Sequence, residues 1–452
     1  MTDVLVIGAG PAGMSAALDL QARGFSVTVV DDQPAPGGRI FAAIETREAK
    51  TAEEQGGAAL VTRFRHGGGD YLPSTEVWQI EGGPRVFLSS GGEARMLEPA
   101  FVVFATGAQE RPMPFPGWQL PGVMTVGAAQ ILLKTARQIP DRPVWLAGSG
   151  PLLLLYIQQL VDAGGEVAGV IDTTPPGRAV AAAPHLLGAL RYGAADLIRG
   201  LNWLLPRSRR RIIRGVVALE ALGSERLTGV RYKTRGGRTG EIPTEHLLVH
   251  DGVIPGVHAT LAAGCEHQWN VSQRAFEPVT DGYGATSKPS IFVAGDAATI
   301  GGARMAPVSG RLAAIGVARA AGKLSPREAE AEAAPLRRTL ANNARFRRFL
   351  DAAFPGMTLG IPDSTMVCRC EEVTAGQVRT ALRDRPHLGP DGVKATTRAG
   401  MGPCQGRQCA PTLSRLTAET HQLPFGAVGF LKIRPPLKPL TLKELASLET
   451  DA

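Results

Sequence analysis

Cysteine is scarce, with five residues in a chain of 452. A secreted fold held by disulfides spreads many cysteines along its length, so that class is excluded and the few thiols present need another reason. No apolar run approaches the roughly 20 residues that span a bilayer. The longest, "PLLLLYIQQLVDAG" at 151–164, is short and carries Gln and Asp. The opening "MTDVLVIGAG" has neither a positively charged leader nor a cleavage site, so it does not read as a signal peptide and the expectation is a cytoplasmic protein. Charge of one sign is in small excess, 49 basic against 41 acidic residues for a net +8. The densest basic run, "RSRRRIIR" from Arg207 to Arg214, has no interleaved aromatics. It reads as a solvated face, with nucleic acid disfavoured as a partner. Catalytic constellations are missing too: no Ser/His/Asp or Cys/His arrangement and no metal-type histidine spacing stands out, so no side chain is assigned as catalytic.

What is present fits a soluble, turn-rich protein of two or three domains: 44 % hydrophobic residues, 55 glycines and a mean hydropathy of zero. "VLVIGAGPAGMSAALDLQARGFSVTVVDD" (4–32) is an apolar strand, a Gly8-Ala9-Gly10-Pro11-Ala12-Gly13 turn, an Ala/Leu-rich helix, and a second strand ending at Asp31-Asp32. Gly8 permits the tight turn, Gly10 lets backbone approach a pyrophosphate, and Gly13 lets the helix pack on the strand. The helix N-terminus offers N–H groups to phosphate, and Asp31 falls where a carboxylate can take ribose hydroxyls.

"QPAPGGRIF" (33–41) follows, with prolines that stiffen a loop and Gly37-Gly38 beside Arg39. Much later, "SIFVAGDAATIGG" ends a strand in Gly295-Asp296 and leads into a helix. Between them "FVVFATGAQERP" holds Ala105-Thr106-Gly107. Together these segments resemble the α/β flavoprotein fold with two dinucleotide-binding domains shared by thioredoxin-reductase-like and glutathione-reductase-like enzymes. The resemblance implies FAD on the first domain: Asp296 takes the ribityl chain and Ala105-Thr106-Gly107 lies beside the cofactor at the crossing into a second domain.

"RPVWLAGSGPLLLLYIQQLVDAGGEVAGVIDT" repeats the strand–turn–helix–strand pattern with Gly148 and Gly150, but the third glycine position is Leu153. A leucine there is expected to push helix from strand and crowd the phosphate turn. No arginine directly follows Asp172, which argues against NADP. A working site for NAD or an adenine nucleotide and a retained structural domain both stay open. The rest of the insertion predicts a helical stretch from His185 and a hairpin meander before the return at "HDGVIPG". His250 and His258 flank that return. No cysteine pair accompanies the flavin segments, which argues against a disulfide reductase. Cys265 reads as a lone buried thiol.

The other four cysteines form two tight pairs, Cys368-x-Cys370 and Cys404-x4-Cys409, separated by 33 residues. Four buried thiols, structural zinc and a [2Fe–2S] cluster compete for them. Zinc sites of four cysteines usually show two CxxC knuckles, whereas a [2Fe–2S] centre tolerates uneven loops. The glycines of "GMGPCQGRQC" let backbone N–H groups face sulfur, and Arg369, Arg398 and Arg407 offer positive charge. The segment resembles the bacterioferritin-associated ferredoxin-like [2Fe–2S] domain, small and α-rich, expected to be independent of the rest and joined by an amphipathic connector helix.

The expected domains are 1–110 and 251–325 for FAD, 111–250 for the inserted nucleotide domain, 326–362 for the connector, and 363–452 for the cluster domain and tail. As a whole the chain resembles the α subunits of heteromeric FAD-dependent amino-acid and opine dehydrogenases (D-hydroxyproline, octopine/nopaline and proline types), with the cyanide-forming glycine dehydrogenase as a cousin. That resemblance implies an electron-transfer role beside a flavin-containing, amino-acid-oxidase-like β subunit that oxidises the substrate. It also allows FMN at a subunit interface, an adenine nucleotide in the inserted domain, a downstream electron acceptor and a small γ subunit. The alternative is a free-standing NADH-dependent flavin and iron–sulfur reductase.

Overall fold

The computed structural model describes residues 2–67, 69–204 and 211–448, with the backbone alone for 201–204. Arg207 to Arg210 of the basic run lie outside the described residues. Among the described residues no helix is long and apolar enough to cross a membrane.

The first domain is a five-stranded parallel sheet in the order 291–293, 101–104, 4–7, 27–30, 70–72. Val4–Ile7 and Val27–Val30 are buried throughout, as strands covered on both faces must be. The helix Pro11–Ala22 lies against the helix Ala306–Ala320. A Cβ on Gly310 would stand 2.1 Å from the Ala12 carbonyl oxygen, so only glycine lets the two backbones approach this closely. The antiparallel meander Thr75–Glu81, Arg85–Ser90, Glu93–Leu97 covers one side.

The inserted domain has its own parallel sheet in the order 211–214, 167–172, 144–148, 247–250, 123–125, with a second meander at 216–243. Two crossing segments, Ala108–Glu110 and Val253–Pro255, pair antiparallel and join the domains. The connector helix runs over Pro326–Ala353, capped by Ser325 and Glu328 in a reciprocal box.

The C-terminal segment is α-rich as expected, but it is not independent. Its core residues Val367, Cys368, Val378, Leu413 and Leu431 belong to one continuous apolar cluster with Leu5, Ile7, Leu88 and Phe104 of the first domain. The tail continues the attachment across the first meander. Leu437 N–H donates to the Trp78 carbonyl at 2.7 Å, Lys438 pairs with Glu76, and Ser447 Oγ accepts from Ala94 N–H at 2.7 Å.

A polar knot fixes the crossing. The Arg111 guanidinium, only 6 % exposed, donates to the carbonyls of Asp251 (3.1 Å), Arg274 (2.6 Å) and Gln273 (2.8 Å). Asp251, equally buried, accepts from Met357 N–H at 2.8 Å in the linker beyond the connector helix. Arg274 reaches the Gly356 carbonyl at 2.8 Å, and Arg415 of the cluster module reaches that of Leu359 at 2.7 Å. Both crossing segments, the hairpin at 267–278, the linker and the cluster module are thereby tied together. Burial pushes the Arg111 pKa down and that of Asp251 up, each partly offset by the other's charge. Arg111→Leu should cost about 3–5 kcal/mol, because it strands a buried carboxylate and three carbonyls. Urea unfolding reads this, and a loss below about 1 kcal/mol would show that the knot contributes little.

Candidate functional site

The segments singled out in the sequence converge at the C-terminal edge of the first sheet, where parallel α/β folds hold their ligands. Gly8 takes φ +107, and a Cβ there would lie 2.4 Å from the Ala105 carbonyl oxygen. At Gly13 a Cβ would lie 1.8 Å from the Gly8 oxygen. Pro11 opens the helix and Met14 N–H is bonded to the Gly10 carbonyl at 2.9 Å, so the N–H groups of Ala12 and Gly13 precede the helical ladder. The 33–41 loop folds over this turn: Gly37 N–H donates to the Ala9 carbonyl at 2.9 Å, and a Cβ on Gly38 would touch Gly10 Cα at 3.0 Å. Arg39 and Asp32 are exposed at its rim.

Asp31 is buried at the strand end, where its carboxylate accepts from Ala9 N–H and, at 2.7 Å, from Gln33 N–H. It thus braces the glycine turn as well as standing where a ribose would lie. Burial raises its pKa to about 6, against the pull of those two N–H groups and with help from neighbouring Asp32. Asp296 accepts from Gly301 and Gly302 N–H, both at 2.9 Å, while Gly295 at φ +68 sits against Ala12. Thr106 Oγ1 donates to Gly256 across the crossing at 3.3 Å, and Gly256 N–H returns a bond to Gly107 at 3.0 Å. A glycine turn, a free helix start, a strand-end acid and a second helix start from 306 fit the two phosphates, ribose and ribityl chain of FAD.

The second turn is built differently. Gly150 stands at φ +123, whereas Gly10 stands at −74. Leu153 is 2 % exposed, its side chain packed with Val126, Leu146 and Ile157 beneath the helix 151–162. The His250 ring lies against the turn, 3.3 Å from where a Gly150 Cβ would stand. Its Nδ1 is held at 2.6 Å by Glu110, whose other oxygen accepts from Gly127 N–H at 2.7 Å. Asp172 accepts from Thr174 N–H at 2.9 Å and also from that residue's hydroxyl. Arg178 approaches Asp172 to 4.0 Å, six residues along, where reading only the next residue finds no arginine.

The four cysteines come together as two contacting pairs, Cys368 with Cys409 and Cys370 with Cys404. Among the described residues no three His, Cys, Asp or Glu side chains converge on one single-ion position. Contact with the Cys409 thiol brings the Cys368 pKa down to about 6, against burial and assisted by the N–H groups of Gly400, Glu371 and Cys370. The same contact, with burial, drives Cys409 up. Burial raises Cys370, which faces the Cys404 N–H. Sulfurs paired two by two and faced by backbone N–H fit the two irons of a [2Fe–2S] centre. The arginines are placed less simply than the sequence alone suggests. Arg398 is neutralised by Glu371 at 2.8 Å, Arg369 lies over the Trp118 ring at 4.8 Å, and Arg407 faces the tail at Leu437.

Contacts invisible to motif reading join the two sites. Gln109, two residues past Gly107, donates to the Arg407 carbonyl between Cys404 and Cys409 at 2.9 Å. Trp118 Nε1 donates to Met366 at 2.6 Å. His258, 7 % exposed, faces Gly406, and its pKa falls to about 3 through burial and the charge of Arg407, with the Gly406 backbone opposing. It is therefore neutral near pH 7. Cys265 stands apart, buried beside Thr286, its pKa raised by burial.

The chain belongs to the pyridine nucleotide-disulphide oxidoreductase family, whose model matches residues 2–322, and it is an FAD-dependent oxidoreductase. A BFD-like [2Fe-2S] binding domain matches residues 366–419. The chain is similar to an opine oxidase subunit of Rhizobium meliloti, 43 % identical over 99 % of this chain and 87 % of that one. It is also 30 % identical to the hydrogen cyanide synthase subunit HcnB of Pseudomonas aeruginosa, over 99 % of each. Among solved structures, L-proline dehydrogenase from P. horikoshii shares the fold at TM-score 0.71 and 20 % identity, over 98 % of this chain and 79 % of that one.

Two substitutions test the sites. Gly402→Ala places a Cβ 2.2 Å from that of Cys370, so iron and acid-labile sulfide should fall to a small fraction while flavin content holds. Full iron content would contradict the proposed cysteine arrangement. For Asp31 the folded pKa of about 6 exceeds the unfolded 3.8, so its contribution is fully present below 3.8 and is lost as pH rises through 6. Flavin-free protein should therefore lose on the order of 2–3 kcal/mol between pH 4 and 7 from this group. Asp31→Asn should flatten that part of the profile in urea unfolding, and an unchanged profile would contradict the assignment.

Proposed function

We propose that this chain is the FAD- and [2Fe–2S]-containing electron-transfer subunit of a heteromeric dehydrogenase acting on an amino acid, imino acid or opine. Substrate oxidation then takes place at the flavin of a partner β subunit. The observation that carries the reading is the Gln109–Arg407 contact, because it seats the cysteine loop directly on the segment that leaves Gly107. The names borne by similar proteins, subunits of an opine oxidase and of a hydrogen cyanide synthase, agree with a subunit role.

A bound flavin takes up two electrons and can release them singly, and a [2Fe–2S] centre carries one at a time. The chain's own residues supply placement. Gly8, Gly10, Gly13, Gly38 and Gly295 admit the cofactor to the backbone, Asp31 and Asp296 orient it, and Cys368, Cys370, Cys404 and Cys409 hold the metal centre. His258 packs edge to face on Phe430, and Phe430 on Phe276, and these three rings line the space between the crossing and the cysteine loop. The reading extends to FMN at the interface between subunits, an adenine nucleotide in the inserted domain, a downstream acceptor, a γ subunit, and a cytoplasmic location.

The rival, a free-standing NADH-dependent reductase, needs a working second turn. Leu153 and the His250 ring beneath Gly150 speak against it. An anaerobic visible spectrum of the purified chain should show a flavin band unchanged by NADH but bleached by dithionite. Bleaching by an amino acid or opine should require the β subunit. Prompt bleaching by NADH with the chain alone would make the rival the better account.

A further inference from the structure

A cleft opens where the polar knot meets the cysteine module, and neither the flavin site nor the cysteine pairs account for it. It lies between the crossing, the return at 251–258, the hairpin at 267–278, the linker and the helix Ala410–His421. Its volume, mouth included, is about 730 Å³, within the range of small-molecule sites. Much of the wall is apolar. Trp269 and Phe276 meet edge to face at 5.1 Å, Phe276 and Phe430 at 5.4 Å, and Met113 and Ile254 complete that side.

Polar groups on the same wall lack the partners that burial demands. His258 is 7 % exposed, yet its Nε2 makes no hydrogen bond. Thr412, 5 % exposed and third in the helix Ala410–His421, has a hydroxyl that bonds to nothing among the described residues. Its N–H is free as well, because the helical ladder begins with Leu413 N–H on the Cys409 carbonyl at 2.9 Å. Buried polar groups are nearly always paired, so two unpaired ones beside an apolar cleft point to a ligand that supplies the missing bonds.

Charge sets the sign of that ligand. Arg111 and Asp251 offset each other across 4.0 Å, and Glu419 takes up Arg415 at 2.6 Å. Arg274 remains, at the mouth, and meets no carboxylate among the described residues. Its backbone stands at φ +49, a region few residues other than glycine adopt. It is held there by the Arg111 bond to its carbonyl (2.6 Å) and by its own bond to Gly356 (2.8 Å). One uncompensated cation suits a monoanion, whereas a dianion would stand near the Asp251 carboxylate without a second free cation.

We propose that this cleft binds a small carboxylate with a compact apolar body. Arg274, Thr412 and His258 take its oxygens, and the aromatic wall takes its body. Substrates and products of the dehydrogenase proposed above belong to this class, and the biological role assigned here rests on that reading. His258 faces Gly406, and Thr412 lies three residues past Cys409. A substrate or product bound between them therefore bears directly on the joint between the crossing and the cysteine loop.

Calorimetry on the full chain, loaded with its cofactors and without a partner subunit, tests this. One cyclopentanecarboxylate should bind per chain, and the uncharged cyclopentanecarboxamide should bind about tenfold or more weaker. Arg274→Gln should weaken the carboxylate by about tenfold and remove most of that preference. Thr412→Val, which keeps the side-chain shape, should weaken it by about three- to tenfold. Flavin and iron contents equal to wild type show that each variant is folded, and the comparison of acid with amide needs no variant at all. Acid and amide bound equally, or neither bound, overturns the proposal and leaves the subunit role intact. Displacement of the carboxylate by FMN at tenfold or greater affinity assigns the cleft to a flavin and overturns it too. Proline and its flat analogue pyrrole-2-carboxylate stand for substrate and product. Binding of either that Arg274→Gln weakens supports the site, and the tighter of the two shows which side of the reaction it senses. Bleaching of the flavin by proline in the chain alone supports the cleft but overturns the subunit reading.

Discussion

Arg111 brings a full positive charge into a place where 6 % of its surface meets water, and three backbone carbonyls and the Asp251 carboxylate make that burial tolerable. The relation between the two candidate redox sites depends on this knot. It fixes the Ala108–Glu110 and Val253–Pro255 pair, it draws in the linker after the connector helix, and Arg415 binds that linker from the cluster side. Electron transfer between bound centres needs constant separation and dry surroundings more than it needs acids or bases. A crossing held by buried, mutually satisfied polar groups meets the first of these needs.

The continuous apolar core makes the same point on a larger scale. Cys368 and Cys409 are buried among residues that also pack on the first sheet, so the C-terminal module and the first domain draw on one core. The tail crosses the first meander and bonds to it at both ends, closing the arrangement. A C-terminal module placed in this way is part of the oxidoreductase body.

Much of the candidate site was legible in the sequence because its chemistry is local. The Gly8–Gly13 turn, Asp31, Gly37-Gly38 and Gly295-Asp296 each announce themselves within a few residues, through steric demands that few residue types meet. The cysteines were legible through rarity and spacing. What stayed hidden is long-range. Gln109 and Arg407 lie 298 positions apart, and the Arg111 bonds span 140 to 163. Such contacts leave no periodic trace. The independence expected of the C-terminal module failed for that reason, since a Cys-rich motif looks alike on a free domain and on a docked one. Likewise the helix 186–204 has ordinary periodicity, and only the glycines at 188 and 193 hint that it sits on another helix. At Leu153 the sequence raised the right question: the side chain is accommodated, but the turn ahead of it takes another conformation.

On the proposed function, flavin and cluster exchange electrons directly across the knotted crossing. Flash reduction of the flavin in the purified, cofactor-loaded chain, followed by absorbance in the iron–sulfur band, tests it most directly. The cluster should be reduced in a first-order step whose rate does not change with protein concentration. A rate that rises in proportion to protein concentration would show that electrons pass between molecules, and would contradict it.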